Sequence, residues 1–188
     1  MKIKSLLAAL SIVGLTSAAT AAPLTYNVNR VISSGSVSGI VTTDGTFGAL
    51  ATANVTAWSL TLNDGIGSFA ITQANSEFLA FGLGLTADVD SIDFDFSGAD
   101  VVFIFQNPAI ASGINFWCGS GASGDSCNGA FSVEEVRLAG GTPFAARTGI
   151  VEIATRSIAG PGNSVPEPTS LALVGLALFG AAAARRRA

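Results

Sequence analysis

Short runs of alternating side chains, each closed by Gly, Asp, Asn or Ser, recur about every 8–12 residues through the middle of this chain. A helix needs a longer uninterrupted apolar stripe, so this punctuation leaves room mainly for strands. Residues 57–62, AWSLTL, put Trp58, Leu60 and Leu62 on one face and Ser59 and Thr61 on the other. Asn63-Asp64-Gly65 follows, with the residue types a tight hairpin turn needs where φ is positive. Residues 66–72 then return. Thr43-Asp44-Gly45-Thr46 also carries Asp-Gly, the residues of a tight turn, and Ser33-Ser34-Gly35 separates runs 26–32 and 36–42.

In SIDFDFS, Ile92, Phe94 and Phe96 share a face opposite Asp93 and Asp95, the pattern of a half-buried strand. VVFIF, from Val101, is apolar throughout and predicts a central strand covered on both faces. Further strands are predicted at 78–86, 114–118, 130–138 and 150–155, and 52–58 could hold a short helical turn. Gly82-Leu83-Gly84 interrupts the first of these and predicts a bulge or a close backbone approach. About ten short strands with such turns predict an all-β fold, an antiparallel β-sandwich or jelly-roll-like body. All but one of the 12 Phe and both Trp lie in it, enough bulk for one core between two sheets.

The two ends of the chain differ from this body. Lys2 and Lys4 precede an apolar run from Leu6 to Leu15 and then small residues, the order of a secretory signal peptide over residues 1–21. Cleavage is expected after Ala21, with Ala19 at the −3 position. A cut after Ala22 would place the ring of Pro23 against the scissile bond. The β domain is expected over 22–158, a Pro- and Gly-rich tether over 159–165, and a distinct tail over 166–188.

Between the ends the body has four Arg, no Lys and twelve Asp and Glu, a net charge of −8. That balance argues against nucleic acid, whose phosphates need basic neutralisation, and against an anionic membrane surface. Cys118 and Cys127 are the only two cysteines, and in an exported chain they predict a disulfide across GSGASGDS.

The body offers little for catalysis. No His is present anywhere, which removes Ser-His-Asp and Cys-His arrangements, and no body Lys is present for Ser-Lys or Schiff-base chemistry. Asp88, Asp90, Asp93, Asp95 and Asp100 lie close in sequence. They are most simply turn residues and the wet face of a strand, with calcium ligation and a glycosidase carboxylate pair as the alternatives. Glu134-Glu135 beside Arg137 is most simply a strand-face charge pair, worth little if exposed. Trp117, next to the disulfide loop, is the candidate aromatic for stacking on a sugar.

In the tail, residues 169–184 carry no charge. As a helix they would span roughly 24 Å at about 1.5 Å per residue. That is short for a hydrocarbon core of about 30 Å, which the bilayer can meet by thinning. Arg185, Arg186 and Arg187 would stay cytoplasmic, with the body on the far side of the membrane.

Signal peptide, Pro166-Glu167-Pro168, short apolar helix and terminal arginines together resemble the PEP-CTERM family of Gram-negative exported proteins. The stretches GSVSGIVTTDGTFGAL and AWSLTL are similar to body domains of that family, a likeness that brings no function with it. The resemblance implies a sorting signal read by exosortase, a membrane enzyme that cuts near Pro-Glu-Pro. It implies transient anchoring in the inner membrane with the body in the periplasm. Transfer to the cell surface or extracellular matrix would follow, often alongside exopolysaccharide. The body itself is expected to be structural, adhesive or carbohydrate-binding and not an enzyme. A secreted carboxylate-dependent glycosidase and a permanently anchored periplasmic binding protein are the alternatives.

Overall fold

A computed structural model describes residues 22–157. The signal peptide and the sorting tail expected from the sequence lie outside these residues. Thirteen strands follow one another among them. They are β1 (Leu24–Ile32), β2 (Gly35–Thr43), β3 (Gly48–Ala49), β4 (Val55–Asn63), β5 (Ser68–Thr72), β6 (Glu77–Phe81) and β7 (Leu85–Ala87). Then come β8 (Ser91–Asp95), β9 (Val102–Asn107), β10 (Asn115–Ser120), β11 (Val133–Arg137), β12 (Phe144–Ala146) and β13 (Ile150–Arg156). Every strand pairing is antiparallel. Eight strands form one sheet in the order β3-β7-β8-β13-β1-β2-β4-β5, and five form the other in the order β12-β11-β10-β9-β6. The all-β sandwich expected from the turn spacing is what residues 22–157 adopt.

Alternation decides which side chains meet between the sheets. Tyr26, Val28 and Ile32 of β1, Val37 and Val41 of β2 and Leu60 and Leu62 of β4 are all buried. They face Phe103 and Phe105 of β9, Trp117 of β10 and Val136 of β11 in one core. Phe94 meets Phe103 edge to face at 4.9 Å, Phe103 meets Trp117 at 4.9 Å, and Trp117 stacks on Phe105 at 5.5 Å. Such ring pairs add about 0.5–1.5 kcal/mol each beyond the area they bury.

Most predicted turns occur where the residues place them. Ile32 faces Gly35 across the β1–β2 turn. Asn63 faces Ser68 across the β4–β5 turn, where Gly65 adopts φ 88°. The carboxylate of Asp64 accepts the N–H groups of Ile66 and Gly67 at 2.9 and 2.7 Å and locks that turn.

The run 78–86 is corrected. It is two strands in different sheets: β6 ends at Phe81 and β7 begins at Leu85. At Gly82 the chain takes φ 74°, and a Cβ there would run into the carbonyl of Asp100. The close approach expected of Gly-Leu-Gly therefore also carries the chain from one sheet to the other. The helical turn allowed at 52–58 shrinks to a 3₁₀ turn over Thr52–Asn54, and β4 starts at Val55. In the run 130–138 the strand is β11 from Val133, after Ser132 turns the backbone at φ 49°, while Ala130 forms only an isolated bridge with Cys127.

The outer face of the smaller sheet carries its own apolar layer. Val102, Phe116, Cys118 and Val133 lie buried under the segment holding Cys127 and Ala130. Cys118 and Cys127 form a disulfide that fastens this cover, with Cα atoms 5.9 Å apart. Replacing both cysteines by Ser should cost about 2.5 kcal/mol by the chain-entropy relation for so short a loop. Urea unfolding with and without reductant checks it: the wild type should lose that stability on reduction and the double variant should lose nothing further.

Candidate functional site

The most strongly organised polar cluster lies between the sheets. On β11, Glu134 and Val136 point into the sandwich while Val133, Glu135 and Arg137 point out. The cross-strand neighbours of Glu134 are Gly119 and Ala145, whose small side chains leave room for arginines from elsewhere. Arg30 reaches across from β1 of the other sheet. Its Nε donates to Oε1 of Glu134 at 2.9 Å and its Nη2 to Oε2 at 2.7 Å, a bidentate pair. Arg147, beyond β12, brings Nε to Oε2 at 3.0 Å and Nη2 to the same oxygen at 2.9 Å. Trp117 donates its indole N–H to Oε1 at 3.2 Å. The Glu134 side chain is 0% exposed, against 15% for Arg30 and 26% for Arg147.

The Glu134–Glu135–Arg137 strand-face charge pair expected from the sequence is thus corrected. Both glutamates are buried, and the partners of Glu134 are Arg30 and Arg147. Two adjacent residues of one strand point to opposite faces, and both faces of this sheet are covered. The sequence held a signal: a body with four Arg and no Lys favours the guanidinium, whose planar fork suits buried carboxylates.

The same arginines bridge a split in the larger sheet. β1 and β13 pair only at Tyr26↔Arg156 and Asn27↔Thr155. Farther along, Nη1 of Arg30 donates to the Glu152 carbonyl at 2.6 Å, and Nη2 of Arg147 to the Val31 carbonyl at 2.9 Å. Over the split lies a cleft of about 250 Å³ lined by Asn27, Asn29, Arg30, Glu152 and Thr155, with Ile153 and Ala154 also in its wall. A second groove, of about 340 Å³, lies between hairpin tips and has Asp64, Ile66, Phe69, Ile114 and Leu138 in its walls.

Glu135 has the opposite character to Glu134. It is 3% exposed, stands opposite Cys118, and its Oε1 has no hydrogen-bond partner. Burial pushes its carboxyl above the ordinary glutamate range, and the Arg137 charge opposes this in part.

Part of the acidic run is clustered: Asp88 and Asp93 both accept the Ser91 hydroxyl, at 3.4 and 3.1 Å, and Asp93 stands cross-strand from Glu152. Asp88 closes a turn by accepting the N–H groups of Asp90 and Ser91, both at 2.7 Å, which hold its carboxyl below the ordinary range. Asp90 is exposed in that turn. Asp93 accepts the Ser91 hydroxyl at 3.1 Å, Asp95 accepts the N–H of Ser97 at 2.9 Å, and Asp100 occupies a turn at φ 54°. Among the described residues no three His, Cys, Asp or Glu side chains converge to hold a metal. Trp117 is also corrected as a ligand contact. At 1% exposure, packed on Phe105 and Phe103 and bonded to Glu134, it has no face free for a sugar. Disulfide proximity suggested an accessible loop, whereas alternation along β10 turns the residue beside Cys118 inward.

Removing Glu134 strands two half-buried guanidiniums. Glu134→Ala should lower stability by about 3–5 kcal/mol, and Glu134→Leu with Arg30→Met and Arg147→Met should recover much of that loss in chemical denaturation. Glu135 works in the other direction. Its raised carboxyl favours the fold fully below the ordinary glutamate range, and that contribution is lost as pH rises through the elevated value. Glu135→Gln should therefore melt higher than wild type at neutral pH, with the gain shrinking on acidification toward pH ~4 in thermal melts.

No curated protein and no solved structure matches the chain. The family model described as the PEP-CTERM protein-sorting motif matches residues 164–187. That span holds Pro166, Glu167 and Pro168, the uncharged run after them and Arg185, Arg186 and Arg187. The chain therefore carries a PEP-CTERM protein-sorting motif, which implies an exported protein sorted through exosortase.

Proposed function

We propose that the chain is a delivered matrix or surface module: a non-enzymatic β-sandwich that the tail holds briefly in the inner membrane until exosortase releases it. The observation that carries this reading is the sorting motif over 164–187 behind a separate folded body. The motif's parts suit a sequence of steps. The arginines fix orientation by the positive-inside rule. The undersized apolar run stalls the chain in the bilayer. Pro166 and Pro168 set φ and remove two N–H donors, which favours an extended segment that an enzyme cleft can take as a strand-like substrate. Glu167 offers one charge for recognition.

For the body, the structural, adhesive or carbohydrate-binding role is supported by what surrounds its carboxylates. Glu134 is consumed by two arginines, the aspartates of the acidic run serve turns and a strand face, and each of the two clefts is lined by one carboxylate, Asp93 standing cross-strand from Glu152 without lining its cleft. A glycosidase of the common kind needs two carboxyl groups flanking one bond, about 5–10 Å apart.

Pro166→Ala with Pro168→Ala should trap a full-length, membrane-bound form in a host that has exosortase. Intact mass spectrometry of the wild-type product should find a chain ending near Pro168. A product still ending at Ala188 would instead mark a permanently anchored protein, and unchanged processing of the proline variant would remove Pro-Glu-Pro as the recognised element.

A further inference from the structure

The cleft over the split between β1 and β13 has the construction of a small polar binding site. β13 carries a bulge there: the pairing with β8 shifts between Glu152 and Ala154, and Ile153 and Ala154 are buried consecutively. A bulge re-aims the side chains beside it and ends regular pairing. Here it accompanies the parting of β13 from β1, and Glu152 and Thr155 stand exposed on one wall. On the other wall, alternation sends Tyr26 and Val28 into the core and Asn27 and Asn29 outward. The Arg30 guanidinium closes the inner end, held in place by Glu134 and the Glu152 carbonyl.

The chemistry of this lining selects a class of ligand. Two amides offer donors and acceptors side by side, a hydroxyl offers both, a carboxylate accepts and a guanidinium donates. No aromatic ring lines the cleft, so stacking plays no part and recognition must run through hydrogen bonds to a ligand that alternates donor and acceptor. The exposed Glu152 carboxylate disfavours an anion. At about 250 Å³ the cleft lies below the roughly 300–1,000 Å³ of drug-sized sites and suits one small ring. We propose that this cleft binds one neutral hexose unit of a glycan, through Asn27, Asn29, Glu152 and Thr155 on a floor stiffened by Arg30. This rests on the carbohydrate-binding reading of the body and replaces Trp117 as its contact.

The test uses full-length protein in micelles of a sugar-free detergent. Methyl glycosides of glucose, galactose and mannose, and methyl glucuronoside, are titrated by saturation-transfer NMR. At least one neutral glycoside should bind with a dissociation constant on the order of 1 mM, as befits one small polar unit. Asn27→Ala with Asn29→Ala, both on the exposed face, should weaken it about tenfold or more with the melting temperature unchanged. Glucuronoside should bind more weakly than its neutral counterpart. Equal binding by wild type and the double variant would overturn the cleft while leaving glycan binding elsewhere on the body. No transfer to any neutral glycoside would overturn the cleft and the carbohydrate-binding reading with it. Preference for the glucuronoside would overturn the neutral class.

Discussion

A carboxylate with no access to water and two arginines gripping it hold this sandwich in register. Taking Glu134 out of solvent costs several kcal/mol unless its oxygens are fully coordinated. Both are: Arg30 and Trp117 bond one oxygen, and Arg30 and Arg147 bond the other. The donors come from β1, from β10 and from the segment between β12 and β13, so satisfying one side chain requires both sheets to be present and aligned. Each arginine also donates to a carbonyl at the parting of β1 and β13. An apolar trio could fill the same space, but it would not supply those bonds. The split is tolerable because the charges beneath it serve both as cross-sheet tie and as substitute ladder.

How much of this was legible follows from what a linear pattern can encode. Alternation at 57–62 and at 91–96, the Asp-Gly turns and the cysteine pair each depend on neighbours along the chain, and they read correctly. Two-sided coverage of a sheet does not show in sequence. Glu134 and Glu135 therefore looked like a wet charge pair, although one faces the core and the other lies under the disulfide-fastened segment. The facing of Trp117 was recoverable from its place beside Cys118, since one of two adjacent strand residues must turn inward. The strand break at Gly82 was half visible: a crowded backbone was expected, but which sheet each half joins depends on pairings with β8 and β9.

The molecule divides its physical tasks by segment. Address information is concentrated in residues 164–187, where charge, apolar length and backbone stiffness are arranged in order. The body carries the net negative charge and none of the lysine, so its own surface has little reason to adhere to the anionic face of a bilayer. The exposed polar residues over the β1–β13 parting offer hydrogen-bonding groups on that surface.

The sheet margins have a further consequence. β3 and β12, at one end of each sheet, are two and three residues long, while β5 and β6 at the other ends have five each. A neighbouring molecule that tried to extend either sheet at the short margin would find almost no ladder to join. Copies crowded together outside the cell are thereby kept from propagating as an open-ended ribbon, since head-to-tail growth needs both margins of a sheet to accept a strand.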